Sequence, residues 1–281
     1  MPQSMKMSGK LQIWGLVELC GEPRNENETV CSHRIALTQR LILRWFRAEG
    51  RKFPWRKPTA SKYQQVVAEV LLQRTRAEAV SNLYLGFIRC FPSWIKLALA
   101  TERDLQEFLR PLGLWRRRAA SLQLLAQQMA GRRGRFPNGR EQIEKLSGVG
   151  QYICNAILMF DKGENQPLLD VNFARVLERV FGPRKLSDIR YDPYLQKLAW
   201  RVVQHRSPQQ LNWAFLDLAA AVCSIRKPRC PICPLKNVCC HAQSGGVETS
   251  VAPGLTKITI ANSTRTNSLA SNIREANSVG V

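Results

Sequence analysis

At 281 residues with 44% hydrophobic content, the chain is long enough to bury a substantial core, as one large or two smaller globular domains. Lysine and arginine number 42 against 21 acidic residues, and the resulting +21 calls for a polyanionic partner, with nucleic acid ahead of a membrane surface. Neither secretion nor membrane insertion is expected. The apolar run over residues 11–20 is broken by Gln12 and Glu18 with no cleavage-like site after it, and no window reaches transmembrane length. Cys20, Cys31, Cys90 and Cys154 are scattered, which suits free thiols in a reducing, intracellular compartment (cytoplasm or nucleoid) better than a disulfide framework.

The first helix is expected over residues 32–48, where apolar residues recur at helical spacing and stop at Gly50. Phe53-Pro54-Trp55-Arg56 then makes a stiff connection, its two aromatics packed and Arg56 open to phosphate contact. Residues 63–73 read as a nearly all-apolar helix holding one carboxylate, Glu69, which either points to solvent or is buried for a reason. If buried, its pKa rises and it can act as a general acid or base. Thr75 is a candidate cap for a helix over 76–90, and further helices are expected to begin near Ser93 and Thr101, the latter with Asp104 in a capping-box position. A break at 111–115 precedes Arg116-Arg117-Arg118 and a long helix to Ala130. Nine arginines and no lysine lie between Arg103 and Arg140, a bias that favours phosphate contact over a plain solvated face.

A short helix over 141–146, capped by Asn138, and a second over 151–160 flank Gly148-Val149-Gly150. Two glycines leave the amides at the start of the second helix uncovered, so a phosphate oxygen could sit there, although a tight turn that binds nothing has the same pattern. Asp170 precedes a helix over 171–181 and reads most simply as its N-cap, a role that would also hold a carboxylate ionised and able to stabilise a cation. Helices over 192–205 and 208–222 follow. Cys223, Cys230, Cys233 and Cys239 then stand at gaps of six, two and five residues, with Pro228, Pro231 and Pro234 preventing helix. Four thiolates in so short a span fit a 4Fe-4S cluster better than zinc, whose ligands come as two close pairs. The first gap carries Arg226, Lys227 and Arg229, so the loop around the cluster would present a basic knob.

Over residues 36–240 the chain resembles the helix-hairpin-helix glycosylases of the endonuclease III superfamily. LSGVG resembles their hairpin, LLDVNFARVLERVFG their catalytic-aspartate segment, and the cysteine spacing their cluster signature, all in the family's order. The resemblance implies an all-α fold, with a six-helix barrel at about 61–170 and a 4Fe-4S cluster domain built from both chain ends, 32–60 and 171–242. It implies double-stranded DNA across the cleft between them, the target nucleotide flipped in, and a monomer. Residues 1–31 are then a flexible extension and 243–281, rich in Ser, Thr and Asn, a disordered tail.

Within that superfamily, FPWR at 53–56 and AEVLLQRT at 68–75 resemble the G/T-mismatch thymine glycosylases and the adenine glycosylases that act on A opposite damaged G. Tyr152 occupies the position where lyase-type members carry a nucleophilic lysine, and it and the RKPRC loop look like the thymine branch; no domain of the kind that reads damaged guanine follows the cluster. Ser147 stands where proline is usual, which is expected to loosen the turn slightly. The implied roles are catalysis by Asp170 and Glu69 with Tyr152 on the pocket wall, DNA contact by Gly148, Val149, Gly150, Gln73, Arg74, Arg226 and Lys227, and cluster ligation by Cys223, Cys230, Cys233 and Cys239. The expected activity is monofunctional hydrolysis of thymine or uracil opposite guanine. Adenine excision and a silent, cluster-stabilised DNA-binding protein are the alternatives.

Overall fold

The computed structural model describes residues 32–245; the expected flexible extension and the expected tail beyond 245 lie outside the described residues. Helix α1 (Ser32–Glu49) buries Ile35, Ile42 and Leu43 on one face. It stops at Gly50, whose N–H donates to the Phe46 carbonyl at 2.9 Å. A side chain there would overlap the Phe46 carbonyl and ring, so the turn admits only glycine. The 53–56 connection is a single 3-10 turn in which Phe53 stacks on Trp55 with ring centroids 4.6 Å apart and Trp55 meets Tyr84 edge-on at 5.1 Å.

Helix α2 (Lys62–Leu72) opens with a reciprocal capping box between Ser61 and Gln64. After it come α3 (Ala77–Cys90), α4 (Trp94–Ala98), α5 (Glu102–Leu109) and α6 (Trp115–Gly131). Helices α4 and α5 begin where expected, and Ser93 and Thr101 cap them through their hydroxyls. Thr75 does not cap α3: the N-cap is Arg76, and the Thr75 hydroxyl is engaged by Arg118 at 2.9 Å. Helix α7 (Arg140–Glu144) likewise starts one residue earlier than expected and is capped by Gly139, because the Asn138 side chain accepts from Lys162 instead. Helix α8 (Gln151–Lys162) runs two residues past the expected end, to Gly163 in the left-handed conformation that only glycine adopts without strain. Helices α9 (Val171–Phe181), α10 (Pro193–Val203), α11 (Pro208–Ala221) and α12 (Cys240–Gln243) complete the series, and no strand occurs among the described residues.

The helices pack around two large apolar cores. One gathers Phe53, Trp55 and the inward faces of α2 to α8, with Leu71, Phe87, Leu122 and Ile157 completely buried. The other gathers α1 with α9, α10 and α11 and reaches Leu235, Val238 and Cys239 near the C-terminal end of the described chain. Phe173 and Phe215 stack at 4.4 Å inside it. Arg34 on α1 fastens the two ends of the described segment together by donating from Nη2 to the Val238 carbonyl at 2.8 Å. No helix among the described residues is long and apolar enough to cross a membrane.

Candidate active site

Of the residues singled out in the sequence, Glu69, Tyr152 and Asp170 come together, although they lie on three different helices. Glu69 is 3% exposed, which settles the choice between a solvated and a buried carboxylate. Its Oε2 accepts a hydrogen bond from the Tyr152 hydroxyl on α8 at 3.0 Å. Burial pushes its pKa up from 4.5 to about 7; the Tyr152 bond and the nearby Arg56 charge pull the other way, and the Asp170 carboxylate adds to the rise. The same burial, with both carboxylates facing it, keeps the Tyr152 phenol well above its ordinary value.

The linkage has a definite sign. From pH 4.5 to 7 the folded chain keeps a proton on Glu69 that the unfolded chain has lost, so stability falls as pH rises through that window. The full cost above it is on the order of 3 kcal/mol. Glu69→Gln retains an acceptor for Tyr152 and removes the charge. Urea denaturation should show it close to wild type near pH 4.5 and more stable by up to that amount at pH 8; a difference independent of pH would exclude a buried charge as the cause.

Asp170 is the N-cap of α9, as its place before Val171-Asn172-Phe173 foretold. Its Oδ1 accepts from the amides of Asn172 and Phe173 at 2.9 and 2.8 Å, and its Oδ2 from the Asn172 side chain at 2.7 Å. Arg175 continues the chain of contacts: it donates to Asn172 Oδ1 at 3.1 Å and, through Nε, to the Cys223 carbonyl at 2.9 Å. The segment before Asp170 is pinned by Asn212, completely buried, whose Oδ1 accepts from Leu168 N at 2.6 Å while its Nδ2 donates to the Gln166 carbonyl at 3.0 Å. Neither Asn172, Arg175 nor Asn212 carried a sequence signal of its own.

Arg56 is not available for phosphate, contrary to expectation. Its guanidinium forms a two-pronged pair with Asp217, at 2.8 and 3.1 Å, and Asp217 also accepts from Arg51 Nε at 2.8 Å. Asp217 is completely buried and therefore requires such partners. Its lone acidic place in the apolar run LDLAAAV is the kind of signal that marked Glu69, and it could have been read the same way.

The hairpin lies between α7 and α8. Gly148 has φ +73°, and a side chain on it would overlap the Ser121 hydroxyl. Gly150 caps α8 with no side-chain bond and has open space where a Cβ would be, so the first amides of α8 are uncovered. Ser147 does not loosen this turn. Its N–H donates to Gln128 Oε1 at 2.9 Å, a bond proline cannot form, which ties the hairpin to α6. Gln73 Nε2 donates to the Gly148 carbonyl at 3.3 Å, and Gln73 and Arg74 are exposed, with Arg74 at φ 56°.

The loop carrying Gln73 and Arg74 depends on Arg118, the one buried member of the nine-arginine run. Arg118 donates to the carbonyls of Val70, Leu71 and Gln73 and to Thr75 Oγ1, serving as the C-terminal cap of α2 rather than as a phosphate contact. Burial lowers its pKa. A cleft of about 580 Å³ opens next to the hairpin, lined by Gln151 and Asn155 of α8 with Arg190, Tyr191 and Trp200, and not by Glu69, Tyr152 or Asp170.

Cys223, Cys230, Cys233 and Cys239 gather at the end of α11. Burial raises Cys233 to about 11 and Cys239 to about 12; Cys223 and Cys230 add to the first shift, Cys233 and Cys223 to the second. Arg179 donates to the Ser224 and Ile225 carbonyls at 2.7 and 2.9 Å and so holds the loop that leaves Arg226 and Lys227 exposed. No three His, Cys, Asp or Glu side chains among the described residues are arranged to hold a single metal ion. A four-iron cluster asks for something different, since each thiolate binds its own iron and the sulfurs need not converge on one point. Three partly buried cysteines and one buried one, near enough for their thiolate charges to act on each other, fit that demand.

The pattern that defines the HhH-GPD superfamily base excision DNA repair proteins matches residues 67–202, a span that takes in Glu69, the hairpin and Asp170. A thymine-DNA glycosylase from Aeropyrum pernix is 38% identical over 214 residues, covering 74% of this chain and 95% of that protein. An adenine DNA glycosylase from Buchnera aphidicola is 31% identical over 206 residues, 70% of this chain but 56% of its own length. Among solved structures, a thermostable thymine-DNA glycosylase superposes with a TM-score of 0.69 at 28% identity, over 75% of this chain and 98% of that one. On this evidence, the chain belongs to the HhH-GPD superfamily of base excision DNA repair proteins.

Proposed function

We propose that this protein is a monofunctional DNA glycosylase that hydrolyses the N-glycosidic bond of a flipped thymine or uracil opposite guanine. The observation that carries the reading is the hydrogen bond between buried Glu69 and half-buried Tyr152, with the half-buried Asp170 carboxylate close enough for its charge to act on both. Positive charge develops at the sugar C1' as the bond breaks, and Asp170, a carboxylate fixed by two backbone amides and one side-chain amide, stabilises it and orients water for attack. Glu69, poised near neutrality, exchanges a proton or hydrogen bond with the departing base. Tyr152 holds Glu69 in place and forms the wall of the pocket. Its phenol cannot form an imine, so water is the nucleophile and the product is an intact strand with an abasic site.

On this reading the first core corresponds to the six-helix barrel, 61–170, joined by Phe53 and Trp55, and the second to a cluster domain from both chain ends, 32–60 and 171–242. Cys223, Cys230, Cys233 and Cys239 hold a 4Fe-4S cluster, which supplies a rigid cross-link of the loop bearing Arg226 and Lys227. Double-stranded DNA, bound by a monomer in an intracellular compartment, runs over the Gly148-Val149-Gly150 hairpin, Gln73 and Arg74; the Val149 N–H is turned back to the Leu146 carbonyl at 3.1 Å, which leaves the neighbouring amides for phosphate. The similarity to thymine-DNA glycosylases over nearly their whole length supports the choice of base. Adenine excision is the second reading: a carboxyl near pH 7 suits protonation of a purine.

Base release from duplexes carrying T, U or A opposite G, with mass identification of the free base, separates the two. Release of thymine or uracil, and strand cleavage only after hot alkali, is expected. Run with borohydride, the wild-type reaction should yield no covalent protein–DNA adduct, whereas Tyr152→Lys should gain one. A strong adduct from wild type would overturn the monofunctional assignment.

A further inference from the structure

Trp213 on α11 is 8% exposed, yet it packs into neither apolar core. Its indole Nε1 is buried without a hydrogen-bond partner, and so is Nε of Arg56, whose guanidinium lies 5.2 Å from the Trp213 ring. Two orphaned N–H groups side by side are costly, at about 1–3 kcal/mol each, and native interiors rarely keep them without a use. Their position suggests one. The charge of Arg56 reaches both Glu69 and Tyr152, and Asn212, next to Trp213 in sequence, fastens the extended segment that leads into Asp170. Arg56 thus lies within electrostatic reach of the site, and Trp213 packs against the Arg56 guanidinium.

We infer that the indole N–H of Trp213, with Arg56 Nε near it, reads a ring carbonyl oxygen of the flipped base and thereby selects thymine or uracil over adenine, which has no carbonyl. This rests on the glycosylase reading and sharpens it. Thymine and uracil present two carbonyl acceptors on their rim. Adenine has no carbonyl and presents an amino group, a donor that would face a donor. The remainder of Arg56 is committed to Asp217, so its Nε is fixed in place and cannot swing away to accommodate an amine. Discrimination of this kind comes from leaving buried groups unpaired with the wrong base.

The test is binding of the full-length protein to two uncleavable duplexes, one with 2'-fluoroarabino-thymidine opposite G and one with the 2,4-difluorotoluene nucleoside, which has the shape of thymine and very weak acceptors. Trp213→Phe keeps an aromatic ring and deletes the N–H. It should lose roughly ten- to hundredfold in affinity for the thymidine duplex and little for the difluorotoluene duplex. Trp213→His, which restores a ring N–H, should recover part of the loss, and this separates a missing donor from a repacked helix. Equal losses on both duplexes, or none on either, would overturn the role. Because neither duplex can be cleaved, the result is independent of whether base release is observed at all.

Discussion

Asp170→Asn is expected to bind mismatched DNA about as well as wild type and to excise its base at least a hundredfold more slowly. The two halves of this expectation rest on different oxygens of the same side chain. Oδ1 caps α9 by accepting from the amides of Asn172 and Phe173, and asparagine is as good a cap as aspartate. Folding should therefore suffer little. Oδ2 accepts from Asn172 Nδ2, and an amide nitrogen there would meet another donor, so the Asn172 side chain must turn and give up its bond from Arg175, at a cost of roughly 1 kcal/mol. What cannot be restored is the negative charge. A preorganised group facing developing charge in a dry site is worth about 3 kcal/mol or more, which is the hundredfold. Single-turnover base release alongside thermal melting separates these effects. Excision at nearly the native rate would mean that Asp170 is an N-cap and nothing else.

The parts of the structure that were legible beforehand are those whose causes are local. Hydrophobic spacing placed α1, α2, α6 and α9, and a lone aspartate before Val171 marked an N-cap because that signal needs three neighbouring residues only. The two caps misread, Thr75 and Asn138, fit the local rule equally well and lost to distant competitors, Arg118 and Lys162. Arg56 was misread for the same reason. Its partner Asp217 is 161 positions away, so the pair exists only once α11 has folded against the 53–56 turn. Gly-Val-Gly predicted open amides, but not that Ser147 would bond Gln128 and draw the hairpin onto α6. Glu69 sits between these cases. Its helix was legible and its burial was an even choice, because burial depends on α8 supplying Tyr152 from 83 positions further on.

Replacing a cysteine ligand is expected to have a broader effect than any change around Glu69. Residues 223–239 form no helix beyond two 3-10 turns, and their buried apolar contribution to the second core is Leu235, Val238 and Cys239. Fixing the backbone costs roughly 1–2 kcal/mol per residue, whereas each buried aliphatic side chain returns about 1.5–3 kcal/mol, so apolar contacts alone leave this segment short. The guanidinium bonds from Arg175 and Arg179 hold carbonyls at 223, 224 and 225, and Arg34 holds the Val238 carbonyl near the far end. Metal–thiolate bonds at 230, 233 and 239 are what would secure the remainder. Protein purified without oxygen should therefore be brown and hold about four irons per chain. Cys233→Ala should lose iron and acid-labile sulfide, and lose duplex binding by more than tenfold as Arg226 and Lys227 are no longer presented. The first core holds none of these cysteines and should stay folded, so most helical circular dichroism should remain. Stoichiometric zinc with no sulfide in the wild-type protein would overturn the cluster assignment, and an iron-free variant that binds DNA normally would separate the cluster from the basic loop.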